Sequence, residues 1–307
     1  MKTYNKAESI LDVRGESTIV DLVINRIKKQ CETENLSEIA RLATDDILFD
    51  SNGKTNFFLR PHVVEEITKL ADNEIIRYLE YRYKYDVFPK ERIIDKYPPL
   101  VQIEPASICN YRCVFCYQTD KELTQKKNGH MGVMSLDLFK KIVDELEGKV
   151  EAITLASRGE PLVNKQLPEM LQYLKGKFLA VKINTNASLL NDNLCHAILK
   201  ADIQTLVFSA DAAEEPLYSK LRVQGDLETV LTNIQRFNVI KLMHYPSSKI
   251  ITRVSGVKYN SDQNINSMEA FWGDLVDQVM FVDYNPWENV YNSKKTNIDE
   301  SCSDLWR

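Results

Sequence analysis

The chain has 307 residues, enough for one large domain with an appendage and for a sizeable buried core. Its formal net charge of −5 disfavours a general electrostatic attraction to nucleic acid or to an anionic membrane. No run of about 18 uncharged apolar residues occurs, and the polar residues 1–12 lack the apolar core of a signal peptide, so we expect no membrane span and a cytoplasmic location.

The first 95 residues predict helices rather than strands. Apolar residues recur at helical spacing around residues 20–27, 39–47 and 63–79. Pro98 and Pro99 then mark a join to a segment of different character. We predict an N-terminal helical extension over residues 1–95, a core domain over 96–285 and a C-terminal tail over 286–307.

From about Leu100 onwards, β-rich runs alternate with helical patterns. Six apolar runs predict strands, at residues 100–104, 150–155, 178–184, 203–210, 250–257 and 279–282. One intervening helix is expected to begin after Ser135, a favourable N-cap, and another after Asp226. This alternation predicts a parallel sheet covered by helices, either an incomplete (β/α) barrel or a doubly wound sheet, and periodicity leaves both open.

Polar residues gather where four successive predicted strands end. In either fold, chemistry belongs to the loops that follow the carboxyl ends of the strands. The first strand is followed by a group of cysteines, the second by Gly159-Glu160-Pro161, the third by Asn184 and Asn186, and the fourth by Ser209 and Asp211. We therefore expect these groups to lie close together at the carboxyl ends of the strands.

Three of the six cysteines, Cys109, Cys113 and Cys116, lie within eight residues in the spacing C-x3-C-x2-C. Structural zinc uses four ligands, and His130 is the only nearby candidate for a fourth. A cubane held by protein alone also needs four cysteines. Three thiolates therefore predict a [4Fe–4S] cluster with one iron open to a small-molecule ligand.

The cysteine motif with Phe115 before its last cysteine, the Gly-Glu-Pro element and the two later strand ends together resemble the radical S-adenosylmethionine (SAM) enzymes. The resemblance covers about residues 100–284 and implies an incomplete (β/α)6 TIM-like barrel. It implies that the three cysteines bind three irons and that the amine and carboxylate of SAM chelate the fourth. An electron delivered through the cluster then splits the sulfonium C–S bond, and the resulting 5′-deoxyadenosyl radical abstracts hydrogen from a substrate.

The same resemblance assigns the SAM contacts, while no catalytic residue is assigned. It places Phe115 and Tyr117 beside adenine, Gly159, Glu160 and Pro161 at the amino group, Asn184 and Asn186 near the ribose or methionine, Ser209 and Asp211 near the cofactor, and Arg222 at its carboxylate. The residues alone leave other readings open. The asparagines are also good helix caps, Arg222 a solvated charge, and the aromatic rings a shield for the cluster.

The tail adds a further resemblance, because Cys302 followed by Leu305 and Trp306 is similar to the opening of the SPASM extension of peptide- and protein-modifying relatives. The expectation is a SPASM-type chain truncated at the start of that extension. Its substrate class is a peptide or protein, or a polysaccharide precursor, and its external electron donor is of the flavodoxin or ferredoxin type. The alternatives are an iron–sulfur electron carrier or redox sensor without SAM chemistry, and a zinc-stabilised binding module.

Overall fold

A computed structural model describes residues 17–49 and 56–284. These residues form two compact units, one made of the residues up to 101 together with 148–152, the other of residues 102–147 and 153–284. The predicted tail, including Cys302, lies outside the described residues, and the predicted domain boundaries stay predictions.

The first unit is helical. Its helices are α1 (Ser17–Thr33), α2 (Glu38–Phe49), α3 (Pro61–Lys69) and α4 (Ile75–Glu91). Their apolar faces meet in a core that includes Val23, Ile67 and Leu79. Tyr78 is fully buried as well, and its hydroxyl donates a hydrogen bond to the carboxylate of Glu66 instead of facing water.

The second unit is built on one parallel sheet in which the six predicted strands lie side by side. Strands β1 (Leu100–Ile103), β3 (Ala152–Leu155), β4 (Ala180–Thr185), β5 (Thr205–Ser209), β7 (Ile251–Lys258) and β8 (Gln278–Asp283) follow this order across the sheet, and the short strands β2 (Arg112–Cys113) and β6 (Arg222–Val223) form a separate antiparallel pair. The sheet is open, because β1 and β8 are its two edges. The strand that follows each helix lies next to the strand before it, as the alternating pattern predicts.

Helices connect the strands. They are α5 (Lys121–Thr124), α6 (Leu136–Leu146), α7 (Leu167–Leu174), α8 (Asp192–Lys200), α9 (Leu217–Leu221), α10 (Leu227–His244) and α11 (Ile265–Gly273). Ser135 and Asp226 are N-caps as predicted, since their side-chain oxygens accept the N–H groups of Leu138 and Thr229. Within the described residues, no helix combines the length and the apolar character needed to cross a membrane.

The two faces of the sheet differ. Phe208 of β5 packs edge-on against Phe237 of α10, and their ring centroids are 6.1 Å apart, within the range of about 4.5–7 Å that is typical of aromatic pairs. Side chains alternate along a strand, so Val207 and Ser209 face the opposite side, away from α10. In the parallel register, Asn184 of β4 lies beside Val207, and Ser255 of β7 lies beside Ser209. These neighbours therefore share the face that carries the polar strand ends.

Candidate functional site

The three predicted iron ligands lie in the loop after β1. Cys113 is buried, whereas Cys109 and Cys116 are half-buried. The Cys109 sulfur accepts the N–H of Tyr111 at 3.4 Å, and the Cys116 sulfur accepts the N–H of Gln118 at 3.5 Å. Backbone N–H groups aimed at sulfur favour the thiolate, the form that binds iron, and hydrogen bonds of this kind tune the potential of a cluster.

Burial opposes ionisation of the free thiols. It raises the pKa of all three cysteines above the ordinary value, and raises that of Cys113 to about 11. The guanidinium of Arg222 acts in the other direction on Cys113, and lowers its pKa more than the carboxylate of Asp211 raises it. The thiols are therefore protonated at neutral pH until a metal displaces their protons.

The prediction of a cluster at these thiols depends on their number and their sequence spacing. Among residues 17–49 and 56–284, no three His, Cys, Asp or Glu side chains converge closely enough to ligate a single metal ion. A cubane binds each of its cysteines through a different iron and does not need three ligands on one ion. The prediction at Cys109, Cys113 and Cys116 is a three-thiolate cluster site.

The side chain of Gln118 joins the cysteine loop to the loop after β3. Its amide nitrogen donates to the carbonyl of Ser107 at 2.8 Å and to the carbonyl of Arg158 at 2.7 Å. Arg158 is itself held by Glu104, which follows β1, through an ion pair of 2.9 Å. The first two strand ends are thus fastened together directly beside the cysteines.

Gly159 is required by close packing. A Cβ atom at this position would lie 2.7 Å from the carbonyl oxygen of Ile108 and closer still to that of Ala106, both in the backbone of the cysteine loop. The next residue, Glu160, donates its N–H to the same Ile108 carbonyl at 3.0 Å. The glycine therefore lets the two loops touch, because a side chain at this position would overlap the backbone of the cysteine loop.

Glu160 is buried and its carboxylate is used within the protein. One oxygen accepts the hydroxyl of Thr185 at 2.6 Å and the N–H of Leu162 at 3.0 Å, and the other accepts the N–H of Asn186 at 2.7 Å. Burial raises the pKa of this carboxyl, while these three donors lower it. Glu160 thereby ties the loop after β3 to the end of β4, and a contact between Glu160 and a SAM amino group stays a prediction.

The variant Glu160→Gln tests the hydrogen bonds that this carboxylate accepts. Glutamine places an NH2 group where a carboxylate oxygen faces N–H donors, so we expect a loss of about 1–3 kcal/mol in the free energy of unfolding, measured by urea denaturation. The exposed Glu228→Gln is the matched control, with an expected change below about 0.5 kcal/mol. Equal stability of Glu160→Gln and the wild type would contradict the role of this carboxylate.

The third strand end reaches back to the cysteine motif. Asn186 donates its amide to the Asn110 side chain at 2.9 Å, and Asn110 donates to the hydroxyl of Ser188 at 2.8 Å. Ser188 closes the ring by donating to Asn186 at 2.7 Å. The buried Oδ1 atom of Asn184 has no hydrogen-bond partner among the described residues, so it is available to a bound molecule.

The fourth strand end carries Ser209 and Asp211, and Asp211 is joined to Arg222. Ser209 is half-buried at the end of β5, beside Ser255. The Asp211 carboxylate forms an ion pair of 2.6 Å with Arg222. Both residues are buried, so Arg222 is not the solvated surface charge that the sequence left open.

The aromatic residues of the motif flank its last cysteine on both sides. The Phe115 ring lies 5.7 Å from that of Tyr259, which follows β7, and the Tyr259 ring lies 5.1 Å from that of Tyr284, which follows β8. Tyr117 is half-buried, and burial raises its pKa to about 12. Pro161 is buried at the first position of a 3₁₀ turn over Pro161–Val163. The end of β7 therefore borders the cysteine loop through Tyr259, and the end of β8 packs against Tyr259.

Sequence reasoning missed several of these residues. Gln118, Asn110 and Tyr259 were assigned no role, although the first two lie within or directly after the cysteine motif. Gln263 was also missed; its amide nitrogen donates to the carbonyls of Asp211 and Val257, each at 2.7 Å. Proximity to the cysteines was the one available signal for Asn110 and Gln118, whereas nothing in the local sequence distinguishes Gln263.

Comparison with known proteins identifies this arrangement. Residues 103–252 match the profile of the Radical SAM superfamily. The chain carries a radical SAM domain. The match spans the cysteine loop and the first four strand ends, and it confirms the resemblance read from the sequence. Enzymes of this superfamily bind a [4Fe–4S] cluster and SAM, the two cofactors predicted for this chain.

Two of the curated relatives illustrate the similarity in sequence. The tungsten-containing aldehyde ferredoxin oxidoreductase cofactor-modifying protein of Pyrococcus furiosus is 31% identical over 111 residues, which are 36% of this chain and 30% of that protein. A probable GTP 3′,8-cyclase of Methanococcus maripaludis is 31% identical over 130 residues, which are 42% of this chain and 41% of that protein. The matches thus span less than half the length of these relatives.

Solved structures confirm the predicted fold. SuiB of Streptococcus suis bound to S-adenosylmethionine has a TM-score of 0.53 and 15% identity, covering 83% of this chain and 58% of its own. SuiB bound to the precursor peptide SuiA has a TM-score of 0.52 and 16% sequence identity, and the match covers 86% of this chain and 54% of the SuiB chain. The six-stranded open sheet of the radical SAM domain is therefore the incomplete TIM-like barrel, and the doubly wound alternative is set aside.

The residues of the domain fit these cofactors. Three thiols lie in one loop, and backbone N–H groups point at the sulfurs of Cys109 and Cys116. The orphaned Oδ1 of Asn184 offers an acceptor on the face of the sheet that carries the polar strand ends. An amine or hydroxyl donor, both of which SAM carries, would satisfy it.

Proposed function

We propose that this chain is a radical SAM enzyme that holds a [4Fe–4S] cluster through Cys109, Cys113 and Cys116 and binds SAM at the fourth iron. When bound, these cofactors supply a 5′-deoxyadenosyl radical through reductive cleavage of the sulfonium, and that radical abstracts hydrogen from a substrate. One observation carries the proposal. The loop with the three thiols is fastened, through Gln118 and Gly159, to the strand ends that the family uses for SAM.

The chain's own residues have three tasks in this function. The thiolates hold the cluster at the mouth of the partial barrel. Asn184 and Ser209, on the polar face at the ends of β4 and β5, orient SAM. Phe115 and Tyr259 form an aromatic wall beside Cys116 that limits access of water to the cluster.

The proposed substrate is a peptide or protein, or a polysaccharide precursor, and the proposed electron donor is an external flavodoxin or ferredoxin. The peptide alternative has support from the fold, since SuiB was crystallised with its precursor peptide. The start of a SPASM extension at Cys302 also belongs to this proposal. A simple electron carrier would need the cysteines but not the polar groups at the other strand ends.

The experiment is anaerobic reconstitution with iron and sulfide, followed by reduction with dithionite in the presence of SAM. We expect about four irons per chain by metal analysis and 5′-deoxyadenosine by chromatography. An iron–sulfur protein that yields no 5′-deoxyadenosine would be a carrier or sensor. A protein that takes up zinc in place of the cluster would exclude all radical chemistry at this site.

A further inference from the structure

Asp211 and Arg222 form an ion pair in the interior of the radical SAM domain. Their side chains are 0% and 8% exposed, and Asp211 Oδ2 lies 2.6 Å from Arg222 Nη2. The second carboxylate oxygen accepts the N–H of Val257 at 2.6 Å, and the Asp211 carbonyl accepts the amide of Gln263. Desolvation of two charges costs several kcal/mol, so stability alone is a weak explanation for a buried pair.

The position of Arg222 relative to Cys113 is fixed by the backbone. The antiparallel pair β2–β6 places Cys113 directly opposite Arg222, and the N–H of Val114 donates to the carbonyl of Leu221 at 3.0 Å. The Nη1 atom of the guanidinium lies 4.0 Å from the Cys113 sulfur, while Nη2 faces Asp211. The Nε–H of Arg222 is buried and has no hydrogen-bond partner among the described residues.

We propose that the Arg222 guanidinium, which the β2–β6 pair holds opposite the iron ligand Cys113, raises the reduction potential of the cluster through its fixed positive charge, and that the paired Asp211 carboxylate moderates this effect. This inference rests on the proposed function, because it needs a cluster at Cys113. Reduction adds one negative charge to the cluster, and a nearby cation stabilises that charge in a medium of low dielectric constant. Arginine keeps its proton at every relevant pH, so the effect does not depend on titration.

This role differs from the contact with the SAM carboxylate that the sequence suggested for Arg222. A carboxylate of the protein already occupies Nη2, and Nη1 faces a cluster ligand. Binding of the SAM carboxylate and an effect on the reduction potential can be distinguished by measurements without SAM. An arginine that only bound the SAM carboxylate would leave the potential of the SAM-free cluster unchanged, whereas the proposed role shifts that potential.

The test is an anaerobic redox titration of the reconstituted protein without SAM, followed by visible absorption and by the EPR signal of the reduced cluster. The double variant Asp211→Asn with Arg222→Gln keeps hydrogen-bonding groups but removes both charges. At the wild-type midpoint, we expect about a tenfold lower ratio of reduced to oxidised cluster, which is 59 mV for a one-electron couple. Arg222→Lys keeps the charge and should stay near the wild-type midpoint.

Asp211→Asn alone should raise the midpoint, because it removes the opposing negative charge while the ladder keeps Arg222 opposite Cys113. Lys220→Gln is the control, since it removes an exposed charge two positions away that solvent screens. A wild-type midpoint in the double variant with full iron content, or a lowered midpoint in Asp211→Asn, would overturn the inference. If the double variant holds no cluster, the direction of the Asp211→Asn shift decides.

The outcomes also separate this inference from the proposed function. A shifted midpoint without 5′-deoxyadenosine formation by the wild type would refute SAM chemistry and leave the role of Arg222 standing. Formation of 5′-deoxyadenosine with no shift among the variants would refute the role of Arg222 and leave the enzyme assignment standing.

Discussion

Cys113→Ala is expected to lower the reductive cleavage of SAM by about a thousandfold or more, with 5′-deoxyadenosine falling to the level of a protein-free control. The three cysteines leave one iron of the cubane open for SAM. Without the Cys113 thiolate, a second iron loses its protein ligand, so the cluster no longer has one defined open iron. Cys113 is the most buried of the three ligands and lies opposite Arg222, so no solvent-borne thiol can easily replace it. The measurement is chromatography of the reduced, SAM-loaded reaction together with iron analysis.

Cys31→Ala is the matched control for this loss. Cys31 is a half-buried free cysteine like Cys109 and Cys116, but it belongs to helix α1 of the other unit. We expect it to keep the wild-type iron content and rate. Retention of SAM cleavage by Cys113→Ala, or an equal loss in Cys31→Ala, would show that the cluster is held elsewhere.

The fold was predictable because its two periodicities are clear. The six apolar runs became the six strands of one sheet, and Ser135 and Asp226 became N-caps, since short hydroxyl and carboxylate side chains satisfy the first N–H groups of a helix. Boundaries were less certain. Helix α7 begins only at Leu167, because Pro161–Val163 forms a 3₁₀ turn and the Asn164 carbonyl accepts the N–H of Leu167.

The sequence also predicted which strand ends lie near the cysteines, but it did not predict which group each side chain contacts. Strand ends of a parallel sheet meet at one edge, so Glu160 and Asp211 were expected near the cysteines. Periodicity carries no information on the direction of a carboxylate, and the structure turns Glu160 toward Thr185 and Asn186, and Asp211 toward Arg222. Likewise, a ladder of only two residues such as β2–β6 is too short to leave a pattern in the sequence.

Gly159→Ala is expected to disrupt the site by a purely steric route. The new Cβ atom would overlap the backbone carbonyls of Ala106 and Ile108, and neither can rotate away as a flexible side chain would. The loop after β3 must therefore retreat from the cysteine loop, which breaks the hydrogen bond from Glu160 N–H to Ile108. We expect a loss of about 3 kcal/mol in unfolding free energy and at least about a tenfold loss of SAM cleavage.

Gly132→Ala isolates the steric cause, because a Cβ atom at Gly132 meets nothing within 4 Å. Gly132 is also close to the site, since its N–H and carbonyl are hydrogen-bonded to Ser107. The same methyl group, added to two glycines that contact one cysteine-bearing loop, should thus destabilise the protein at one position and be tolerated at the other. Comparable urea midpoints and comparable 5′-deoxyadenosine yields for the two variants would mean that the contact between the loops is dispensable, and that the strand ends hold the cysteine loop through hydrogen bonds such as those of Gln118 alone.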